Sequence, residues 1–281
     1  MGTIITLTTD FGIQDAYVAA MKGVILGINP EATIVDICHS IEPQNIAQAA
    51  FVISTAYDYF PKDTIHVVIV DPGVGSQRRT IILRTSKAFF IAPDNGVLSY
   101  VIGDSSDKSF ANEGNLPIVK LKRLPSGSQA ISLTNPKFWR HPVSATFHGR
   151  DIFAPVAAYL SLGVPLEEFG KAITSLLVFP IPRPQVGSNG KLIGHVLHID
   201  HFGNLITNIR KEFLPSRKLY VEIGGQCIEG LSTSYAEGDK LLAILGSSGY
   251  LEVAMKGGSA AGLLRAKAGD EVRIKPKRVR R

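Results

Sequence analysis

The first quarter of the chain contains two patterns of hydrophobic and polar residues, one typical of strands and one typical of helices. Short β-branched runs at 3–8, Thr33–Ile37 and Thr64–Val70 predict strands. Between these runs, apolar residues recur at helical spacing and predict two helices, one with Val18, Met21, Ile25 and Ile28 and one with Ile46, Ala49, Ala50, Ile53 and Tyr57. Strands alternating with helices predict a mainly parallel sheet covered by helices.

The middle of the chain carries weaker signals. Thr80–Leu83 and Ala88–Ala92 are two more apolar segments, and Asp151–Leu162 has the pattern of a helix. Residues 103–145 are polar and predicted to be irregular, apart from a short strand at Ile118–Leu121. We therefore assign an N-terminal α/β domain to 1–180 and a Pro- and Gly-rich linker to 181–190.

Beyond the linker, short β-rich runs are separated by Gly- and Ser-rich turns. These runs are Leu192–Ile199, Leu205–Ile209, Leu219–Ile223, Lys240–Leu245, Tyr250–Val253 and Glu271–Ile274. Closely spaced short strands of this kind predict a small all-β barrel. The predicted fold class is thus α/β, with a smaller C-terminal β-barrel domain at 191–281 that ends in a basic tail.

Composition narrows the classes of function. The chain has 281 residues, 45% of them hydrophobic and 19% charged, which is typical of a folded globular protein. Its net charge of +6 equals the six basic residues of the segment 273–281, so the rest is balanced and we expect no nucleic-acid partner. With two cysteines, no signal-peptide pattern and no apolar run that could span a bilayer, we expect a cytoplasmic location and no membrane association.

The segment Val70–Arg79 is the strongest candidate for chemistry. It places Asp71 at the carboxyl end of a predicted buried strand, followed by a Pro- and Gly-rich turn and by Arg78 and Arg79. Ligands bind at this end of the strands in open α/β sheets. The segment lacks the residues of a phosphate loop and of a dinucleotide fingerprint. A capping aspartate with solvated arginines is the structural alternative.

Two further segments in the N-terminal domain carry polar groups at element ends. Asp10 follows the first strand, where a carboxylate can accept hydrogen bonds from a ribose diol, and Asp15 lies near a helix start, where it could instead favour the helix dipole. His148, next to Gly149, could act as a base, as a hydrogen-bonding group or as a structural histidine. The pair Cys38–His39 has no local support as a nucleophile.

Two segments of the second domain offer binding groups. Asp200, Phe202 and Asn204 combine a carboxylate, an aromatic face and an amide that can pair with an adenine edge, although a plain β-turn is the alternative. The run 246–250 adds backbone donors near a strand start. No zinc pattern, nucleophile elbow or kinase motif set is present, so we expect no metal.

Seven short motifs in order resemble one family across nearly the whole chain. They are Thr-Thr-Asp-Phe-Gly (8–12), Cys-His-Ser-Ile (38–41), Val-Asp-Pro-Gly-Val-Gly (70–75), Ala-Pro-Asp-Asn-Gly (92–96), Thr-Phe-His-Gly-Arg-Asp (146–151), Asp-His-Phe-Gly-Asn (200–204) and Ser-Ser-Gly-Tyr-Leu (247–251). The sequence resembles the S-adenosyl-L-methionine (SAM) hydroxide adenosyltransferases, or adenosine-forming SAM hydrolases. These are related to the SAM-dependent fluorinase and chlorinase.

The resemblance implies hydrolysis of SAM to adenosine and L-methionine by attack of water or hydroxide at the ribose C5′, with SAM as substrate and no cofactor. It implies a homotrimer whose sites lie between subunits. It also implies a catalytic triad and a set of substrate-binding residues. The triad is Asp71, Arg78 and His148, and the binding residues are Asp10 for the sugar, Asp15 and Asp200 for methionine, Phe202 and Asn204 for adenine, Ser247 and Ser248 for the methionine carboxylate, and Asn95 and Phe147.

Three other functions stay open from the sequence, of which an RNA-associated role through the basic tail has the least support. The first is SAM halogenation, which the resemblance disfavours because the fluorinase has Tyr where Asp71 stands and Tyr-Ser where His148 and Gly149 stand. A carboxylate at the nucleophile site would repel a halide but hold water. The second is a SAM or adenosine sensor with slow turnover.

Overall fold

The computed structural model describes residues 2–103, 112–113, 116–187, 191–214, 219–237 and 240–276. Its helices are α1 (Tyr17–Ile28), α2 (Ile46–Ala56), α3 (Ser99–Ile102), α4 (Ala154–Ser161) and α5 (Ala260–Leu264). Its strands are β1 (Ile4–Thr9), β2 (Thr33–Cys38), β3 (Ile65–Ile69), β4 (Thr80–Arg84), β5 (Phe89–Pro93), β6 (Asn112–Glu113), β7 (Leu116–Pro117), β8 (Lys120–Arg123), β9 (Gln129–Leu133), β10 (Gly170–Ile173), β11 (Ser175–Val178), β12 (Gln185–Val186), β13 (Leu192–Ile199), β14 (Leu205–Arg210), β15 (Leu219–Ile223), β16 (Gln226–Glu229), β17 (Leu241–Leu245), β18 (Tyr250–Met255) and β19 (Glu271–Pro276).

The described residues form two units, one running to Ile181 and the other starting at Pro182. Within the predicted linker, β12 pairs with β13 of the second unit. Residues 188–190 of that linker, and 277–281 of the predicted basic tail, lie outside the described ranges. Among the described residues, no helix is long and apolar enough to cross a membrane.

The first unit is built on a seven-stranded sheet in the order β10-β9-β4-β5-β3-β1-β2. Strand β1 is parallel to β2 and β3, and β3 is parallel to β5. The other three adjacent pairs are antiparallel because β4 turns back directly into β5 and β9 and β10 extend that edge. The predicted α/β fold class is confirmed, and its sheet is mixed, with the parallel half at the start of the chain.

Helices cover both faces of this sheet. Helices α1 and α4 pack on one face around Met21, Ile25 and Phe153, whereas α2 and α3 pack on the other face around Ile53 and Ile102. Strand β3 is buried on both faces between the two layers, which explains why all its residues except His66 are apolar. The carboxyl ends of β1 and β3 lead into the segments of Asp10 and Asp71.

The prediction of an irregular 103–145 region is wrong in part. Strand β9 lies inside the sheet, between β4 and β10, and its Ala130, Ile131 and Leu133 are buried. Polar Gln129 and Ser132 interrupt this short apolar pattern, so tertiary pairing rather than periodicity decides the strand. The strand predicted at Ile118–Leu121 occurs two residues later, as β8, which pairs with β11.

The helix predicted over Asp151–Leu162 also differs. Residues Gly149–Phe153 form a π-helical turn, in which the N–H of Ala154 bonds the carbonyl of Gly149, and only then does α4 begin. A π-turn inserts an extra residue into the helical ladder and is frequent at functional sites. Here it follows His148 directly.

The second unit is an antiparallel sheet in the order β16-β15-β19-β13-β14-β18-β17, with β12 paired to β13. Its two outermost strands, β16 and β17, lie next to each other, which nearly closes the sheet into a barrel. Its interior holds apolar residues such as Val196, Leu205, Val221 and Val253. The predicted C-terminal β-barrel is confirmed.

Candidate active site

A glycine-dependent turn brings Arg78 back to Asp71. The N–H of Val74 bonds the Asp71 carbonyl at 3.2 Å, and the N–H of Ser76 bonds the Gly73 carbonyl at 3.1 Å. Gly75 has φ +78°, and a Cβ built there would lie 2.6 Å from the carbonyl oxygen of Ala145. A side chain at this position is excluded by both conformation and space.

Asp71 and Arg78 form a two-point charged pair. Arg78 Nε donates to Asp71 Oδ1 at 2.7 Å, and Arg78 Nη2 pairs with Oδ2. Their side chains are only 5% and 10% exposed, so water competes little for either group. Charge-assisted contacts of this two-point kind fix geometry as well as energy.

His148 joins the same guanidinium. Arg78 Nη2 lies 3.0 Å from His148 Nδ1, and the Arg78 Cζ lies 5.7 Å from the centroid of the Phe153 ring. His148 precedes the π-turn and Phe153 is its last residue, so one local structure supplies two contacts to Arg78. The structure therefore assembles the three predicted catalytic residues into a continuous chain, Asp71–Arg78–His148.

This contact fixes the state of the imidazole. Guanidinium nitrogens only donate, so Nδ1 of His148 accepts and the ring proton of the neutral form sits on Nε2. Burial lowers the pKa of His148, the positive charge of Arg78 lowers it further, and Asp71 and Asp151 oppose this in part. At pH 7 the ring is thus a neutral donor through Nε2–H rather than an acceptor at that nitrogen.

Asp10 directly follows β1, and the negative charge of Asp71 acts on its carboxylate. Its Oδ2 accepts the N–H of Gln44 at 2.8 Å. Burial raises the pKa of Asp10, the Gln44 amide lowers it, and the negative Asp71 adds a smaller upward contribution. The position of this carboxylate at the carboxyl end of β1 suits the predicted hydrogen bonds to a ribose diol.

A hydrogen-bonded string fixes the corner that carries Asp10. Thr9 Oγ1 lies 2.9 Å from His39 Nδ1, and His39 Nε2 lies 3.1 Å from Asp36 Oδ1. The carbonyl of His39 also accepts the N–H of Gly12 at 2.7 Å. The sequence offered no chemistry for Cys38–His39, and the structure gives His39 this bracing contact.

Phe147, the residue before His148, belongs to an aromatic cluster. Its ring packs edge-on against Phe11 at 5.8 Å and Tyr17 at 5.2 Å between centroids.

Asp15 is exposed and precedes the N-cap Ala16, so it stands outside the first helical turn. The helix-dipole interpretation of Asp15 therefore loses support, while its methionine-binding role stays a prediction.

Arg79 and Asn95 are held by their own unit. Arg79 Nε donates to buried Asp94 at 2.8 Å, and Arg79 Nη2 pairs with the same carboxylate. Asn95 Nδ2 donates to the carbonyl of Val70 at 2.8 Å, and its Oδ1 accepts from Val97. Arg79 is thus a structural residue. Asn95 braces the strand end before Asp71, and its substrate contact stays a prediction.

In the second unit, Asp200 organises its own turn. Its Oδ1 accepts the N–H groups of Phe202 and Asn204, both at 2.9 Å, and its Oδ2 accepts Asn204 Nδ2 at 2.8 Å. This is the β-turn alternative of the sequence, realised with the carboxylate inside the turn. The ring of Phe202 is 75% exposed, so an aromatic face is presented outward.

The loop after β17 carries the two predicted carboxylate-binding serines. Ser247 is exposed, whereas the Oγ of Ser248 is buried and has no hydrogen-bond partner among the described residues. The buried Glu252 carboxyl lies against Gly246, where a Cβ would overlap it, and it accepts a hydrogen bond from Tyr235 at 2.9 Å. Burial raises the pKa of Glu252.

Several residues of these sites escaped the sequence analysis. Glu252 and Asp36 have no local motif, and Asp151 follows Arg150 as any solvated pair might. The Thr9–His39 contact joins residues thirty positions apart. Among the described residues, no cluster of three or more His, Cys, Asp and Glu side chains has the arrangement of a metal site.

An α/β unit with an acid–arginine–histidine chain at its strand ends, followed by an antiparallel barrel, defines a two-domain protein of the α/β-plus-barrel class. The chain belongs to the SAM hydroxide adenosyltransferase family, because the family model for the N-terminal domain matches residues 5–170 and that for the C-terminal domain matches 194–273.

Relatives cover nearly the full length. The chain is 35% identical to an (R)-S-adenosyl-L-methionine hydrolase of Salinispora arenicola, over 96% of this chain and 97% of that protein. It is 29% identical to a fluorinase of Nocardia brasiliensis, over 97% and 96%. The crystal structure of an uncharacterized conserved protein from Thermotoga maritima superposes with a TM-score of 0.82 at 36% identity, covering 96% of this chain and 99% of that one.

Proposed function

We propose that this protein hydrolyses SAM to adenosine and L-methionine, with water attacking the ribose C5′ in line with the departing sulfur. The observation that supports this most is the Asp71–Arg78–His148 chain, whose members hold one another at hydrogen-bonding distance. Membership of the SAM hydroxide adenosyltransferase family agrees with it.

The chemistry asks little of the protein beyond geometry. The sulfonium of SAM is a good leaving group because it departs as a neutral thioether. The site must hold one water molecule in line with the C5′–S bond and exclude others. Polar side chains that bond one another meet this demand better than mobile side chains.

The three residues divide the task. Asp71 accepts a hydrogen bond from the attacking water, and Arg78 holds that carboxylate at two points. His148 donates its Nε2–H to the water oxygen, which leaves one oxygen lone pair to face C5′. The O–C5′ bond forms as the C5′–S bond breaks and its electron pair goes to sulfur. The proton released by the new hydroxyl passes to Asp71 and then to solvent.

Substrate binding falls to the remaining predicted residues. Asp10 binds the ribose hydroxyls, Asp15 and Asp200 bind the methionine ammonium, and Ser247 and Ser248 bind its carboxylate. Ser248 supports this role because its buried hydroxyl lacks a partner among the described residues. Phe202 and Asn204 bind adenine, and Asn95 and Phe147 complete the set. No cofactor is required, since SAM itself is the substrate.

Halogenation is the second candidate, because fluorinases are among the relatives. A halide would have to lie beside the Asp71 carboxylate, which repels it. Incubation with SAM in buffer with and without chloride, followed by chromatography of the nucleoside product, separates the candidates. We expect adenosine in both. Formation of 5′-chloro-5′-deoxyadenosine would favour the halogenase, and SAM binding without any product would favour a sensor.

The assembly and location remain part of the proposal. We propose that the protein is a homotrimer. We also propose a cytoplasmic location, because two cysteines are too few for a disulfide framework. Light scattering of the purified protein tests the trimer, and a monomer mass would contradict it.

A further inference from the structure

Asp151 is a buried carboxylate that the proposed reaction does not use. It lies three residues after His148, within the π-turn, and its side chain is fully buried. A buried carboxylate is costly unless charges and hydrogen bonds compensate it. The partners of Asp151 therefore show what it holds.

Four donors converge on this carboxylate. Arg150 Nε donates to Oδ1 at 2.7 Å and Arg150 Nη2 donates to Oδ2 at 2.9 Å. Arg140 Nη1 lies 3.4 Å from Oδ1, and the N–H of Ser144 donates to Oδ2 at 2.9 Å. Burial would raise the pKa of Asp151, but the Arg150 and Ser144 hydrogen bonds outweigh it and lower that pKa. Asp151 is thus an anion that joins the segment before the turn to the turn itself.

The backbone repeats this connection. The N–H of Asp151 bonds the carbonyl of Phe147 at 3.2 Å, and the carbonyl of Asp151 accepts the N–H of Arg140 at 2.8 Å. The Arg150 guanidinium, fixed by Asp151, lies 5.2 Å from the centroid of the Phe147 ring. The residue before His148 is therefore held through Asp151.

The residue after His148 has no room to move. A Cβ built on Gly149 would lie 3.2 Å from Met21 Sδ, 3.2 Å from Phe147 and 3.3 Å from Phe11. Contacts on both Phe147 and Gly149 therefore restrict the backbone of His148. With the backbone placed in this way, Nδ1 of His148 lies 3.0 Å from Arg78 Nη2.

We propose that Asp151 is a positioning residue for hydrolysis, which fixes the π-turn through Arg150 and Ser144 and so keeps His148 on Arg78. This inference rests on the proposed function, because it acts through His148. A displacement of about 1 Å in a reacting group can reduce turnover by up to roughly 10²-fold. Loss of the anion should thus lower kcat and leave the KM for SAM unchanged.

The test compares Asp151→Asn with Asp94→Asn in the full-length enzyme. Asp94 is a matched control, because it is also a buried carboxylate that accepts from an arginine, Arg79, and from a backbone N–H, that of Leu177. We expect both variants to lower the unfolding temperature. Only Asp151→Asn should lower kcat, by roughly 10-fold or more, with the KM for SAM within about 2-fold of wild type.

A double-mutant cycle separates positioning from general destabilisation. In a His148→Ala background, Asp151→Asn should cost less than about 2-fold in kcat, since residues that act as one unit are not additive. An equal loss in both backgrounds, or a wild-type kcat for Asp151→Asn, would overturn the inference. A wild type without SAM turnover would instead overturn the proposed function.

A second variant tests the same proposal if Asp151→Asn does not fold. Arg150→Met keeps Asp151 with Arg140 and Ser144 but removes the two-point contact. If Asp151→Asn does not fold, Arg150→Met should lower kcat in the same direction, and again only when His148 is present. A loss that is independent of His148 would contradict the proposal.

Discussion

The candidate residues of the two units are held in different ways. In the first unit, Asp71, Arg78 and His148 bond one another in one chain. In the second unit, Asp200 and Asn204 bond each other within a turn, but the Phe202 ring is exposed and the Ser248 hydroxyl has no hydrogen-bond partner among the described residues. The linked charges of the first unit suit chemistry, and the exposed ring and unpaired hydroxyl of the second suit recognition of a ligand.

This difference has a kinetic consequence. Groups that stabilise only the transition state affect kcat, whereas groups that hold substrate and transition state alike affect KM. Substitutions in the Asp71–Arg78–His148 chain should therefore act on kcat, and substitutions of the exposed binding groups of the second unit should act on KM.

The largest effect is expected at Asp71. Asp71→Asn removes the carboxylate that holds the attacking water and should lower kcat by roughly 10²-fold or more. Binding of SAM, measured by calorimetry, should persist because the substrate contacts lie elsewhere. Turnover at the wild-type rate would remove Asp71 from the mechanism and with it the asymmetry between the units.

Acid should weaken the first unit selectively. Burial lowers the pKa of His66, which is enclosed in the sheet, from 6.5 to about 4. Because the unfolded chain takes up that proton first, the unit loses about 3 kcal/mol of unfolding free energy as pH falls from about 6.5 to about 4. In the second unit, burial raises the pKa of Glu252 above its usual 4.5. Its contribution to the unfolding free energy is therefore largest below pH 4.5 and is lost as pH rises.

The single tryptophan, Trp139, reports the first unit alone. Its fluorescence during denaturant unfolding gives the unfolding free energy, which should fall with pH between about 6.5 and about 4. In the His66→Gln variant this pH dependence should be much weaker. Hydrogen exchange of β14 and β18 follows the second unit over the same range. A common pH dependence in both units would argue against the assignment to His66.

The neighbouring arginines should separate chemistry from structure. Arg78→Lys keeps the charge but loses the two-point contact with Asp71 and the contact with His148, so kcat should fall by roughly 10-fold or more. Arg79→Lys disturbs the Asp94 pair and the contact of Arg79 with the carbonyl of Ser175, and should lower the unfolding temperature with little change in kcat. Kinetics and thermal unfolding of both variants decide this, and equal kcat losses would contradict it.

The smallest effect is expected in the second unit. Phe202→Ala removes an exposed stacking face and should raise the KM for SAM by roughly 5- to 10-fold, with kcat and unfolding temperature unchanged. Leu263→Ala is the control, because Leu263 is also exposed, at 52%. A fall in kcat for Phe202→Ala would mean that recognition and chemistry are not divided as proposed.

Sequence analysis was most successful where chemistry follows a strong local signal. The apolar run of β3 and the glycine turn after it predicted the placement of Asp71, and a short motif pointed to His148. Asp71 and Arg78 are seven residues apart, so turn geometry alone joins them.

It was least successful where burial decides the role of a charge. Arg79 and Asp151 have the sequence context of solvated residues, and only tertiary packing shows that each belongs to an ion pair whose carboxylate is buried. The same reason explains β9, whose polar positions hide a strand that neighbouring strands stabilise on both sides. The π-turn after His148 has no signal that distinguishes it from a helix.

The origin of the new oxygen atom distinguishes attack by water from every other reaction of SAM. Wild-type enzyme is incubated with SAM in ¹⁸O-water containing chloride, and the products are analysed by mass spectrometry. We expect adenosine with one ¹⁸O atom at its 5′ oxygen, together with unlabelled methionine. Unlabelled adenosine, or a chlorinated nucleoside, would contradict attack by a water molecule held at Asp71 and His148.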